Sequence, residues 1–198
     1  MTSPAASPTP KLSAGAAARA RIVDAAIQAL VRDGATNASM SVIAAAGGVS
    51  KALLHYHYSD RAHLLAEAAT ELGRRLVARE RAAIDVARGS GAVDAHWEWL
   101  SSELTRGELR ALLELGVQRE AEVREAAESV AVARARAATQ TVTHLFGALG
   151  LTPRLPAALL AGTVLAFVDG LAIGAPVPMR DPRASFDLFW LALLSFAE

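Results

Sequence analysis

The sequence predicts an all-α protein, and three observations carry that prediction. Apolar residues recur every three to four positions over long stretches, as at Ile22, Ala26 and Leu30. No stretch of useful length alternates apolar and polar residues as a half-buried strand would. Glycine, proline and capping serine or aspartate fall where the periodic stretches start and stop. The chain has 198 residues, 53% of them hydrophobic, which supplies a sizeable core and excludes a disordered chain.

The elements follow in order. Residues 1–14 hold three Pro, three Ser and two Thr and read as a flexible arm. A helix runs from Ala16 to the stop at Gly34, with Val23 and Ile27 beside its apolar stripe. Ser39 caps a short helix over 39–46, in which Met40, Ile43 and Ala44 share a side. Gly47-Gly48 breaks it, and Ser50 caps a second short helix over 51–58. Ser59-Asp60 caps a longer helix with Leu64, Leu65, Ala68 and Leu72 inward. After Gly89-Ser90-Gly91 come helices over 92–104 and 108–117, then a long one over about 120–149 that Gly150 closes. Pro153 and Pro156 lead into a very apolar helix, 157–174. Pro176, Pro178 and Pro182 bracket a loop, and the last helix covers 185–197, for about nine helices in all. The apolar stretch nears the roughly 20 residues that span a bilayer. It contains Asp169, Gly162, Gly170 and Gly174 and has no close Lys or Arg anchors, so burial in a core or between subunits is expected instead.

Several classes of function are excluded. The chain has no cysteine, and hence no disulfide, Cys-zinc site, iron–sulfur cluster or thiol nucleophile. It has no phosphate-binding glycine loop, no G-x-S-x-G and no H-E-x-x-H, so an enzyme reading has no residues to stand on and no cofactor is expected. His55 and His57 lie on different helix faces without a carboxylate four residues on, which argues against a metal. The start has Pro where a signal peptide needs an apolar run, so a cytoplasmic, soluble protein is expected. The formal net charge is zero, yet residues 1–80 hold nine basic and six acidic side chains and the remainder 11 basic and 14 acidic. A mildly basic first part joined to a mildly acidic second part suggests a division of labour.

The informative stretch is 39–65, SMSVIAAAGGVSKALLHYHYSDRAHLL. A short helix, a glycine-containing turn and a second short helix make a helix-turn-helix, whose second helix can lie in the DNA major groove. Ile43 and Ala44 face Val49 and Leu54 across the turn, and Gly48 sits at the sharp bend. Leu54 and Tyr58 point inward, leaving Lys51, Ala52, Leu53, His55, Tyr56 and His57 on or near the outer side. Imidazole and phenol tips can donate to phosphates, and rings can pack on thymine methyls.

These residues resemble the TetR family of bacterial transcriptional repressors over roughly 16–75. The match rests on Ile22, Ala25, Ala26 and Leu30, on Gly34-Ala35, and on the turn Ala46-Gly47-Gly48-Val49-Ser50-Lys51. Leu54-His55-Tyr56-His57-Tyr58 and Leu64-Leu65 complete it. The resemblance implies a three-helix DNA-binding domain over 15–75 and a helical ligand-binding and dimerisation domain over 76–198. It implies DNA contacts at Ser39, Ser50, Lys51, Ala52, Leu53, His55, Tyr56, His57 and Arg61. Leu53 departs from a common Thr, His55 from Tyr, Arg61 from Lys and Gly47 from Ala, the last a change that would loosen the turn. Further implications are a double-stranded DNA operator, a homodimer through the last two helices, and release by a small apolar ligand.

In the second domain, Trp97, Leu100, Leu112, Leu115, Phe146 and Phe167 are bulky candidates for a cavity lining. Gln118, His144 and Asp169 are the best placed polar groups, and Asp169 must be paired, lie at an interface edge or lose its charge. Trp97 and Trp99 cannot share a helix face, and Phe186, Phe189 and Trp190 read as core or interface. Glu114, Glu120, Glu122, Glu125 and Glu128, interspersed with Arg119, Arg124, Arg134 and Arg136, read as a solvated face. A second reading, an all-α carrier or sensor that does not bind DNA, is motivated by Leu53 and Gly47; DNA binding at low salt discriminates the two.

Overall fold

The periodic stretches fold into nine α-helices among the residues that the computed structural model describes, 14–89, 91–174 and 181–198. They are α1 (Ala14–Asp33), α2 (Met40–Ala46), α3 (Lys51–His57), α4 (Arg61–Asp85), α5 (Gly91–Arg106), α6 (Glu108–Leu115), α7 (Ala121–Ala148), α8 (Ala157–Ile173) and α9 (Pro182–Leu194). Residues 1–13, most of the expected arm, and Pro176 and Pro178 of the expected loop lie outside the described residues. The all-α prediction holds; the one bridge outside the helices pairs Pro153 with Ala197. No described helix is long and apolar enough to cross a membrane.

Local chemistry sets the boundaries. The Ser39 and Ser50 hydroxyls accept from Val42 N and Leu53 N, and Asp60 accepts from His63 N at 2.9 Å. The last helix starts earlier than expected, because the Asp181 carboxylate accepts from Ala184 N and Pro182 takes the first helical position. It also ends earlier. The chain turns back there, and Arg154 N donates to Phe196 O at 2.8 Å while Glu198 N donates to Thr152 O at 3.1 Å.

The expected boundary at residue 75 falls inside α4, which runs unbroken from the DNA-binding half into the second half. One hydrophobic cluster spans both, from Ile22, Leu30, Leu54 and Tyr58 to Leu100, Phe146 and Trp190. The central pair is α4 against α7. A Cβ at Gly73 would lie 2.3 Å from a Val130 methyl, so only glycine permits this crossing. Gly47 plays the same part in the turn: a Cβ there would lie 2.8 Å from the Ala25 Cβ. The glycine therefore lets α1 seat against the turn rather than loosening it.

Two charge expectations are corrected. Arg134 is not on a solvated face; it is 6% exposed and forks onto Asp169, tying α7 to α8. Glu114 and Glu120 are not free either: Glu114 accepts from Ala35 N in the α1–α2 turn, and Glu120 from Arg61 at the head of α4. Arg79 similarly joins three helices, donating to Glu103 at 2.6 Å and to Glu108 at 2.7 Å.

Gly73→Ala should destabilise the fold by about 1–3 kcal/mol through overpacking. Combined with Val130→Ala, the loss should be less than the sum of the two single losses, as read in a double-mutant cycle by urea unfolding.

Candidate nucleic-acid interface and ligand region

The interface is built from a helix of seven residues that caps and core hold in place. Gly48 adopts φ +58°, the left-handed conformation that the turn needs. Leu54 and Tyr58 are buried, as their spacing predicts, and Ile43 and Ala44 close the core beneath them. The opposite side of α3 faces out. Ser50, Lys51, Ala52, His55 and Tyr56 are exposed, with Tyr56 at 82%, and Leu53 and His57 are half-buried beside them. Ser39 is exposed at the start of α2. Tyr56 and His57 meet edge to face at 5.1 Å. Eight of the nine candidate DNA-binding residues are thus exposed or half-buried, seven on α3 or its cap and Ser39 at the start of α2.

Arg61 has a different set of partners. Its Nε donates to Ala38 O at 3.0 Å, Nη2 donates to Ala35 O, and Nη1 donates to Glu120 Oε1 at 2.6 Å. Ala35 N donates to Glu114 Oε2 at 3.1 Å. The head of α4, the α1–α2 turn and the α6–α7 corner therefore meet at one guanidinium. A lysine ammonium lacks the planar fork for three partners in three directions, which explains arginine here. Farther along, Arg19 pairs with Glu67 and Arg75 with Asp24, holding α1 on α4.

The nine ligand candidates do not meet around one cavity. Leu100, Leu112, Leu115 and Phe146 are buried in the continuous core. Trp97 lies half-buried under the Arg183 guanidinium, 5.6 Å away. Gln118 Nε2 donates to Glu114 O at 3.0 Å, within the α6–α7 corner. Phe167 stacks on Phe189 at 4.2 Å, and Asp169 is neutralised by Arg134. His144 lines an open cleft between α4 and α7, with its Nε2 at 3.2 Å from Ala87 O, and Leu112 lines another between α6 and α7.

Two buried groups gave a weaker signal in the sequence. His96 on α5 is 1% exposed, and neither ring nitrogen has a partner. Trp99, Phe186 and Trp190 surround it at 5.4, 5.6 and 5.6 Å between ring centres. Burial pushes its imidazole down to about 4, so it is neutral in the fold. Glu80 on α4 is 7% exposed and accepts from Thr141 Oγ1 at 2.8 Å. Burial raises its pKa, against the hydrogen bond and the nearby Arg134 charge. A single glutamate in a helix rich in Arg and Glu carries no signal of burial; its place is decided by the α4–α7 crossing.

The helix-turn-helix, its exposed α3 row and the helical half behind it define a DNA-binding transcriptional regulator. Residues 22–68 match the family model described as bacterial regulatory proteins, tetR family. The chain is 30% identical over 201 residues, 96% of its own length and 94% of the other's, to the HTH-type transcriptional regulator BetI of Agrobacterium fabrum. The chain belongs to the TetR family, which comprises regulators and not enzymes. Among solved structures, it resembles a transcriptional regulator from Saccharomonospora viridis in complex with choline, with TM-score 0.64 and 21% identity over 91% of this chain and 95% of that one. It also resembles FadR from Bacillus subtilis in complex with stearoyl-CoA, with TM-score 0.59 and 16% identity over 78% and 84%. At these identities the two structures share the fold with this chain.

The His96 environment fixes one pH dependence. An unfolded histidine takes up a proton below its ordinary value of about 6.5. The folded one resists until about 4. Stability should therefore fall as pH drops from about 6.5 towards about 4, by on the order of 3 kcal/mol. His96→Phe should flatten that slope in thermal unfolding followed across the same window.

Proposed function

We propose that this chain is a cytoplasmic, homodimeric repressor that places α3 in the major groove of its operator and leaves it when a small, largely apolar ligand binds the second half. The observation that carries the reading is the exposed row on α3, from Lys51 to Tyr56, with Ser50 capping its start. Ser50, Lys51, Ala52, Leu53, His55, Tyr56 and His57 are the contacts on α3 and its cap, joined by Ser39 at the start of α2. Lys51 serves the phosphate backbone, and Tyr56 with its histidine neighbours serves base edges and methyls. Arg61 acts one step back, holding the head of α4 to the α1–α2 turn that presents α2.

The dimer reading is supported by apolar surface on α8 and α9. Leu188 and Leu191 are each 69% exposed, Ile173 is 65% exposed and Leu159 58%. Gly162, Thr163, Ala166 and Gly170 continue the α8 face with small side chains. Paired with their symmetry mates, two such helices make a four-helix interface. Half-sites on DNA would then lie about 34–36 Å apart, and a change in that separation breaks simultaneous engagement. Ligand and operator are coupled reciprocally, by about 1–3 kcal/mol. Choline and stearoyl-CoA, bound by the two similar regulators, differ in charge and size, so this chain's ligand chemistry has to be argued from its own side chains. The carrier reading loses one of its motives, because Gly47 is explained by its approach to Ala25.

Unbiased selection of bound DNA with the purified protein tests the function. A palindromic site should emerge, and failure to bind any fragment at low salt would favour the carrier. Lys51→Ala should weaken binding on all sequences and make the salt slope shallower by about 1, whereas Tyr56→Ala should change sequence preference. Leu188→Glu with Leu191→Glu should give monomer or aggregate by light scattering where the parent is a dimer at micromolar concentration.

A further inference from the structure

Glu103 and Arg134, buried among the described residues, are each answered by an opposite charge at close range. Glu103, 1% exposed, receives the Arg79 guanidinium at 2.6 and 2.7 Å. Arg134 receives Asp169. Glu80 differs: its hydrogen bond comes from the neutral Thr141 hydroxyl, and Arg134, the cation whose charge acts on it, forks onto another carboxylate. A buried carboxylate without its own cation costs stability.

Glu80 also borders open space. The α4–α7 cleft at Glu80, Ile84, Thr141 and His144 has a volume of about 180 Å³. At about 30 Å³ per water, it admits a group of roughly six heavy atoms. Val77 and Arg81 also line a wider neighbouring groove of about 520 Å³ along Gly73, Val77, Val130 and Ala133. The other charged or titratable groups facing Glu80 are accounted for. Arg81 and Asp85 pair at 3.4 Å at the exposed rim, and His144 is held by the Ala87 carbonyl.

We propose that this cleft binds a lipophilic organic cation, with the Glu80 carboxylate as its counter-ion and the Gly73–Val130 groove taking its apolar body. The proposal deepens the reading of the second half as ligand-responsive. Because binding is measured without DNA, the two can fail separately. The bound cation supplies the charge that Glu80 lacks, and its apolar end covers the groove floor. The site lies on α4, the helix whose first residue holds the α1–α2 turn.

Titration calorimetry of the full chain at pH 7.5 would compare benzyltrimethylammonium with neopentylbenzene, its neutral isostere, and with phenylacetate. The cation should bind at least tenfold tighter than the isostere, and phenylacetate weakest. Glu80→Gln keeps the shape and the Thr141 bond. It should lower cation affinity at least tenfold and leave the isostere unchanged. Val77→Phe, which fills the shared wall, should remove both. Equal affinity of the parent for cation and isostere, unchanged cation affinity in folded Glu80→Gln, or unchanged binding in Val77→Phe would each overturn the site. Should circular dichroism show Glu80→Gln unfolded, the parent comparison and Val77→Phe decide. A cation that binds through Glu80 yet leaves operator DNA bound supports the site and contradicts ligand release.

Discussion

The missing side chain at Gly73 is the constraint around which the molecule is arranged. It lets α4 and α7 cross so closely that a single added carbon would lie 2.3 Å from Val130. Because of that approach, two long helices of 25 and 28 residues pack as the spine of the fold. Helices α1, α5, α6 and α8 pack on one or both of this pair. On the N-terminal side, α1 docks on α4 through Leu64, Leu65 and Leu72 and through the ion pairs of Arg19 and Arg75. On the C-terminal side, α8 packs on α7 and is pinned there by Arg134 and Asp169.

A spine that runs through both halves changes what the halves can do. The segment that presents α3 and the segment that lines the α4–α7 cleft are parts of one hydrogen-bonded helix. A helix has few soft degrees of freedom along its length, and the proposed release requires a shift at the cleft to be carried along it towards Arg61. There the guanidinium bridges the carbonyls of Ala35 and Ala38 to Glu120, and Glu114 holds the same turn from α6. The buried charges are thus joints between helices.

Much of the fold was legible in the sequence because local chemistry decided it. Ser39, Ser50, Asp60 and Gly48 each act where their types demand a cap or a left-handed turn, so the helix-turn-helix could be laid out residue by residue. The inward pair Leu54 and Tyr58 follows from helical spacing alone. What could not be read was decided by which helices meet. Nothing about Arg134 or Glu80 in sequence separates them from their exposed neighbours, and only packing of α7 on α8 and α4 buries them. The proposed cavity lining failed to assemble for the same reason. Leu100, Leu115 and Phe146 are as apolar as a pocket wall, but here they belong to the buried core, and Leu112 borders a different cleft from His144. The boundary expected at residue 75 falls within α4, which has no break there.

The central claim is that the Arg61 junction fixes the recognition helix relative to the α4–α7 spine. The chain has no cysteine, so Ala52→Cys on α3 and Arg136→Cys on α7 give two unique spin-label sites. Pulsed electron–electron resonance on labelled chain diluted with unlabelled chain measures the distance between them. The account predicts one narrow distribution in the parent, and a broadened or shifted one once Arg61→Met removes the guanidinium. Superimposable narrow distributions in the two proteins would contradict it, and would show that apolar packing alone holds α3 in place.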